Sequence, residues 1–399
     1  MSLLVSTAID KMQRKLNSIG QEADDGDFKS YLQDTVDYFY QNYNLPTAVR
    51  FTDVIFYPGV LEYSLPTDFV SLISPRKPGG SLQSGDFFFK KETRIYSELL
   101  QGDLAVSYDE DTPYLVAVKN DDSKQTVNDC EETTGVTISG DGSELKADDR
   151  VYTSGSGSLQ FTVTASGGTT TLTFALTSTL DITDYEPTLH AFFNLYVPRT
   201  NDGSLTDVKF RLGNDSSNYI QWLATTRFRG QAIKKGWGII GAPFENIALL
   251  LQSGGPLTLQ DGSVLSLQGT VTETAIDWCQ IVINHGTSDV NGVYRIDSIF
   301  LSKGTYYELP YYSNQVIEAT AGGGLKSSIT ETSDTILLPP KADGAVIYKC
   351  LELIAAERLK DSGRANYFSR ELMQYESELR AMFPREVIVR TSSWMPQSR

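Results

Sequence analysis

The feature of this sequence that most constrains its fold is the separation of two helical periodicities by a long stretch of β-type sequence. Apolar residues recur at helical spacing near the start, over 3–19 and 28–43, and again near the end, over 345–359 and 367–382. A short amphipathic helix in water is stabilised mainly by the packing of its apolar face. We therefore expect the first and last helices to meet, which makes the middle of the chain an insertion.

Length and loop chemistry divide the chain further. At 399 residues it exceeds one ordinary core, so two or three domains are expected. The predicted fold class is α+β and multidomain: the N- and C-terminal segments form a terminal α-helical bundle, and the inserted β-rich region includes a jelly-roll-like β-sandwich. The predicted segments are the first part of the helical domain (1–75), an acidic β-rich insertion (76–184), the β-sandwich (185–305), a return linker (306–340), the second part of the helical domain (341–385) and an extended C-terminal arm (386–399).

Composition argues against several classes of protein. No run of about 18 apolar residues occurs, so we expect no transmembrane helix and no membrane partner. The N-terminus lacks the charge order and the small-residue cleavage site of a signal peptide. The net charge of −16 disfavours tight nucleic-acid binding, which needs basic contacts to phosphates. The three cysteines are widely spaced, as is typical of reduced thiols in a protein that folds in a cytoplasm.

The sequence shows no marked catalytic site. Its two histidines, His190 and His285, lie near no recognisable nucleophile motif. The glycines at 322–324 are not followed by the Lys-Ser/Thr of a phosphate-binding loop. Carboxylates are abundant, but nothing marks one pair for glycosidase-type acid–base chemistry. We therefore predict no enzymatic activity, no catalytic residues and no cofactor.

One run in the predicted sandwich suggests a ligand site. Arg211-Leu-Gly-Asn-Asp-Ser-Ser-Asn-Tyr-Ile-Gln-Trp222 places polar residues in a turn and two aromatics in the following strand. It resembles runs in jelly-roll, carbohydrate-binding-like domains, as does the strand at 294–300. Because aromatic faces stack on sugar rings, Tyr219 and Trp222 are candidate glycan contacts. Asp215 and Asp297 are candidate Ca²⁺ ligands. The alternative is that both aromatics are core or sheet-face residues.

A second resemblance covers about a third of the chain, 1–75 and 335–399. Leu61-Glu-Tyr-Ser-Leu-Pro-Thr-Asp-Phe69 resembles the Y-x-L-P-x-D-F segment common in head-to-tail adaptor (connector) proteins of tailed bacteriophages. The later order is also similar: Asp334-Thr-Ile-Leu-Leu-Pro, a helix, Gly363-Arg-Ala-Asn-Tyr-Phe and a final helix. The resemblance implies a ring, commonly a homo-dodecamer, that binds the portal protein and tail or neck proteins and leaves a passage for viral DNA. The large insertion departs from the small adaptors.

The C-terminal arm carries apolar residues that have no local partner. Such an arm docks on its own domain, stays disordered, or adds to the surface of a neighbour by strand addition. We expect contact with a neighbour. The predicted interface residues are Phe383, Val387, Val389, Trp394 and Met395.

Taken with the resemblance, these features predict a structural virion protein. It would be made in the host cytoplasm and located in the neck, as a head-to-tail adaptor with an outward β-sandwich. The alternative function is a glycan-binding adhesin or a fibre-anchoring tail protein. A polysaccharide-degrading enzyme is a further rival, which the scarcity of histidine disfavours.

Overall fold

The computed structural model describes residues 2–18, 25–43, 45–73, 88–90, 103–109, 112–118, 123–164, 167–184, 187–198, 205–259, 264–285, 291–320, 323–339 and 341–383. The chain divides into two compact units. The terminal unit comprises Met1–Thr52, Pro66–Ser74 and Leu309–Arg399, and the central unit comprises Asp53–Leu65 and Pro75–Glu308. Within the described ranges, no helix has both the length and the apolar character needed to span a membrane.

The helices lie mostly in the terminal unit. The described residues form α1 (Val5–Asn17), α2 (Asp25–Asn42), α3 (Ile247–Ser253), α4 (Ala342–Leu353) and α5 (Ser362–Met382). A 3₁₀ turn (Pro46–Ala48) follows α2, and a π-helical turn (Ile354–Arg358) follows α4.

The strands are more numerous. They are β1 (Ser2–Leu4), β2 (Val49–Phe56), β3 (Glu62–Ser64), β4 (Phe69–Leu72), β5 (Phe88–Lys90), β6 (Asp103–Asp109), β7 (Thr112–Ala117), β8 (Gln125–Asn128), β9 (Val136–Gly140), β10 (Gly142–Asp148), β11 (Ser158–Val163), β12 (Thr169–Leu180), β13 (Leu189–Val197), β14 (Asp207–Asp215), β15 (Asn218–Ala224), β16 (Gly236–Pro243), β17 (Leu257–Thr258), β18 (Val264–Gln268), β19 (Ile276–Asn284), β20 (Val293–Lys303), β21 (Thr305–Ser313), β22 (Ile317–Glu318), β23 (Leu325–Lys326) and β24 (Thr335–Leu337).

The terminal unit has a mixed core of helices and strands. Helix α1 buries the side chains that its apolar periodicity selects: Val5, Ala8, Ile9, Met12 and Leu16. These share one core with residues of α2, α4 and α5 and with Ile317 and Ile336 of a four-stranded sheet ordered β1-β24-β22-β23. Polar contacts also join early and late helices, since Lys15 Nζ donates to Tyr348 Oη at 2.8 Å.

The prediction of an α+β chain organised around a terminal helical bundle is wrong. Among the described residues, strand accounts for 44% and helix for 24%. The terminal helices do not complete a core among themselves, because the four-stranded sheet closes it. Three of that sheet's strands, β22, β23 and β24, lie within 306–340, where we expected a return linker. Strands of two or three residues carry too little alternation to be recognised from sequence.

The central unit is built on two antiparallel sheets. One has the order β10-β11-β20-β13-β16, with β8 also paired to β20, and the other has the order β17-β18-β15-β14-β19-β12-β9. Their inner faces enclose one core, in which Phe193 and Ile296 come from the first sheet and Phe210, Trp222 and Ile281 from the second. The sheets draw strands from both of the segments expected as 76–184 and 185–305. Smaller sheets have the orders β2-β21-β4 and β3-β7-β6-β5.

Candidate functional site

The outer face of the seven-stranded sheet carries a set of polar and aromatic side chains. Successive residues of a strand point to opposite faces, so each buried core residue has neighbours that face outward. In β14, Phe210 and Leu212 are buried, and Arg211 between them faces away from the core. The same alternation in the neighbouring strands places a contiguous set on the outer face: Arg211 and Gly213 of β14, Tyr219 and Gln221 of β15, Trp278 and Gln280 of β19 and Thr173 of β12.

Strand register places four of these residues in a polar row across the sheet. Arg211 lies directly opposite Gln221 on one side and Gln280 on the other, and Gln280 lies opposite Thr173. The Arg211 guanidinium donates from Nε to Gln221 Oε1 at 2.8 Å and from Nη1 to Gln280 Oε1 at 2.6 Å. Gln280 Nε2 donates to Thr173 Oγ1 at 2.9 Å. These bonds hold the planar guanidinium in one orientation at the middle of the face.

The next row of the same face is aromatic. Gly213 lies opposite Tyr219 and opposite Trp278, and the two rings meet across it with centroids 5.7 Å apart and planes inclined by 33°. A Cβ atom at Gly213 would approach Asn218 O to 2.1 Å and Tyr219 Cβ to 2.8 Å. Both rings remain partly exposed. The missing side chain at Gly213 therefore permits a two-ring apolar platform beside the polar row.

The face is positively charged at its centre. The Arg211 guanidinium carbon lies 4.6 Å from the centroid of the Tyr219 ring, within range of a cation–π interaction. Burial lowers the pKa of Arg211, and the neighbouring Tyr219 opposes that effect. The group stays charged at neutral pH, because arginine loses its proton only at very high pH. The guanidinium therefore supplies a fixed, oriented cation next to the aromatic platform.

Two side chains beside Arg211 are well covered by their neighbours. Gln280 is 9% exposed and Val282 is 5% exposed, although both face away from the core of the sandwich. The face combines an aromatic row with a hydrogen-bonding row, which suits a ligand with one apolar face and several hydrogen-bonding groups.

The structure places the two predicted aromatic contacts differently. Tyr219 belongs to the aromatic row just described. Trp222 is 1% exposed and packs in the core between Phe210 and Phe244, and its Nε1 donates to Pro243 O at 2.6 Å. A buried indole has no face for a sugar, so the prediction of Trp222 as a glycan contact is wrong. The strand alternation that directs Tyr219 outward directs Trp222 inward.

The two predicted cation ligands lie in separate places. Asp215 is at the β14–β15 turn, where it accepts hydrogen bonds from Asn218 Nδ2 and from the Ser217 N–H, and these bonds lower its pKa. Asp297 is buried in β20, and its Oδ2 accepts from Thr153 and from the Ser154 N–H. Burial raises the pKa of Asp297. No cluster of three or more His, Cys, Asp or Glu residues is present in the described part of the chain.

Of the predicted interface residues, one falls within the described chain. Phe383 is the C-cap of α5 and packs, partly buried, against the core of the terminal unit. Val387, Val389, Trp394 and Met395 lie outside the described residues.

Sequence reasoning points to Tyr219 but misses most of the site. Arg211 and Gln221 lie on the strands that flank the predicted turn, and their alternation with the buried residues of β14 and β15 would have placed both on the face of Tyr219. Trp278 and Gln280 belong to a strand far along the chain. Only the pairing of β14 with β19 brings them to the site.

Comparisons with known proteins give partial similarities of structure. No family model and no curated protein matches the chain. An exo-β-agarase structure aligns with 45% of this chain at a TM-score of 0.33 and 10% identity, and the alignment spans about a quarter (25%) of the agarase. A promiscuous carbohydrate-binding module of the β-sandwich superfamily aligns with 49% of this chain and 70% of its own (TM-score 0.29, 16% identity). The family 30 carbohydrate-binding module of a Clostridium thermocellum cellulosomal cellulase aligns with 40% of this chain and 82% of its own (TM-score 0.26, 12% identity).

Proposed function

We propose that the protein binds carbohydrate chains on the outer face of the seven-stranded sheet. The observation that carries the proposal is the Tyr219–Trp278 ring pair lying next to the hydrogen-bonded row of Gln221, Arg211 and Gln280. A sugar ring has a C–H face that packs on an aromatic ring and hydroxyl groups that exchange hydrogen bonds with amides and guanidinium groups. The face offers both kinds of partner side by side.

The spacing of the two rows suits a ring-shaped ligand. Gly213 follows Arg211 by two residues in β14, and two residues of a strand span about 7 Å. A sugar packed on the aromatic row therefore brings its substituents within reach of the polar row. The outward residues of both rows are polar or aromatic and include no carboxylate. The arrangement thus lacks the paired acids of glycoside hydrolysis, and we propose binding without cleavage.

Affinity electrophoresis through gels that contain single polysaccharides, neutral and acidic, tests this proposal. We expect at least one polymer to retard the wild-type chain, and we expect the double variant Tyr219→Ala/Trp278→Ala to weaken that binding at least tenfold. A matched control is Tyr196→Ala/Trp237→Ala, which removes a ring pair with centroids 5.4 Å apart on the six-stranded sheet. Thermal unfolding would check that both variants fold.

Two results would overturn the proposal. One is a wild-type chain that no polysaccharide retards. The other is retardation that the Tyr219→Ala/Trp278→Ala variant retains in full while it folds normally.

The virion role stays a prediction, as a second candidate function. One support is the resemblance of residues 1–75 and 335–399 to head-to-tail adaptor proteins. The other is the chain layout, in which segments before and after the sandwich contribute to one compact unit. Such a layout suits a protein that attaches through one unit and displays another. Electron cryo-microscopy of purified particles would test it. A ring of copies between portal and tail is the expected result, and absence of the chain from every particle would contradict it.

A further inference from the structure

The charge of Arg211 is not balanced by an acid. Its side-chain hydrogen bonds go to the neutral amide oxygens of Gln221 and Gln280. Among the described residues, no carboxylate forms a hydrogen bond or ion pair with it, and Nη2 makes no hydrogen bond. Charged side chains that are substantially buried are normally paired with an opposite charge. Arg211 is thus a partly buried, oriented cation with no counter-charge among the residues that the structure describes.

The other sheet shows what a balanced arginine looks like in the same sandwich. Arg295 of β20 lies over the Tyr196 ring at 5.2 Å and donates from Nη2 to Gln160 Oε1, much as Arg211 contacts Tyr219 and Gln221. Its Nε, however, donates to Asp148 Oδ2 at 2.8 Å in an ion pair whose side chains are 14% and 10% exposed. No acid of the described chain takes the corresponding position beside Arg211.

The surroundings of Arg211 strengthen its positive potential. Lys209 precedes it by two residues in β14 and therefore faces the same side of the sheet. Two residues span about 7 Å, so the two cations could meet two anionic groups of one chain-like ligand. The acids of β14 are at its ends, where Asp207 accepts from Asn284 Nδ2 and Asp215 from Asn218 Nδ2. The middle of the strand is left cationic.

We propose that this face binds acidic glycans and that Arg211 contacts their carboxylate groups. The guanidinium fork matches a carboxylate in shape and charge, and Gln221 and Gln280 already fix its plane. The inference rests on the proposed function, because the carboxylate reaches Arg211 as a substituent of a sugar packed on Tyr219 and Trp278. The net charge of the chain is −16, so non-specific electrostatic attraction would favour cationic polymers. A preference for acidic glycans would therefore indicate a local cationic site.

The experiment compares polymers that differ in charge and little else. The probes are polygalacturonate and alginate, each against its esterified form, in which the carboxylate is neutralised. Dextran sulfate against dextran separates a requirement for carboxylate from a general preference for anions. The proteins are wild type, Arg211→Gln and the control Lys235→Gln, which removes one exposed cation elsewhere in the central unit.

We expect at least one polyuronate to bind the wild-type protein at least tenfold more tightly than its ester does. We also expect the binding of that polyuronate to weaken as the salt concentration is raised. Arg211→Gln should bring the ratio of polyuronate affinity to ester affinity close to one, and Lys235→Gln should leave this ratio unchanged. Equal binding of acid and ester, or a ratio that survives Arg211→Gln, would overturn this inference. Equal binding that the Tyr219→Ala/Trp278→Ala variant abolishes would leave the proposed function standing. A preference for dextran sulfate over every polyuronate would also overturn the assignment of carboxylate.

Discussion

The two outer faces of the sandwich use the same residue types for different ends. On the six-stranded sheet, register places Gln160, Arg295, Tyr196 and Trp237 in one row, and Asp148 closes the row by pairing with Arg295. On the seven-stranded sheet, the arginine row and the aromatic row are separate, and no described carboxylate pairs with Arg211.

The difference teaches that an arginine–aromatic cluster does not by itself mark a binding site. The Arg295 cluster satisfies its charge within the protein, as structural ion pairs do. The Arg211 cluster sets its cation against amide oxygens and the Tyr219 ring, and no carboxylate among the described residues neutralises that charge. Whether the partner of the arginine is an acid or an amide is therefore the feature that separates a structural role from a proposed binding role.

The largest contrast is expected in stability. Arg295→Gln removes one partner of a mostly buried ion pair and leaves Asp148 without that partner. We expect it to lower the free energy of unfolding by about 3 kcal/mol. Arg211→Gln removes an unbalanced cation from neutral partners, so we expect a loss below about 1 kcal/mol. Urea unfolding with a common m-value would measure both.

A double substitution sharpens this contrast. Arg295→Gln/Asp148→Asn removes both charges of the pair, so we expect it to recover part of the loss caused by Arg295→Gln alone. Equal losses for Arg211→Gln and Arg295→Gln would show that the two clusters do not differ in the way described.

The second contrast concerns the glycine that separates the rings on the binding face. Gly213→Ala places a Cβ atom against the backbone of Asn218 and Tyr219, where only a backbone shift makes room. We expect a loss of about 2 kcal/mol in unfolding free energy, together with weaker glycan binding, because the ring pair is displaced. Gly255→Ala is the matched control, since a Cβ there meets no atom within 4 Å. Unchanged stability and binding in Gly213→Ala would contradict the role given to this glycine.

Some of the fold follows from sequence because it depends on local periodicity. The apolar spacing of α1 selects the residues that the structure buries, and the alternation in β14 and β15 marks a hairpin around Asp215. The four-stranded sheet of the terminal unit was missed because its very short strands, such as β22 and β23, are defined by long-range pairing and carry no pattern of their own. Non-local pairing also decides which segments share a sheet, and the sequence does not encode it locally.

The site was less predictable than the fold for the same reason. Tyr219 and Trp222 have similar sequence surroundings, and only their strand parity separates an exposed ring from a buried one. Trp278 and Gln280 reach the site through the β14–β19 register. Arg211 gains its significance from the absence of an acid in contact with it among the described residues, which depends on the side chains of neighbouring strands.

The smallest expected contrast is in the pH dependence of stability. Burial acts to raise the pKa of Asp148, but hydrogen bonds from Arg295 and from the Arg150 N–H outweigh it, and the pKa lies below its ordinary value. A carboxyl whose pKa is lower in the folded than in the unfolded chain stabilises the fold above its unfolded pKa of about 4, and this contribution is lost as pH falls through the folded pKa.

We therefore expect the stability difference between wild type and Asp148→Asn to shrink between pH 6 and pH 3. The difference between wild type and Arg211→Gln should stay level over that range, because arginine does not titrate there. Urea unfolding of the three proteins at both pH values measures this. A stability difference for Asp148→Asn that does not change with pH would mean that the Arg295–Asp148 ion pair is not what distinguishes the outer face of the six-stranded sheet from that of the seven-stranded sheet.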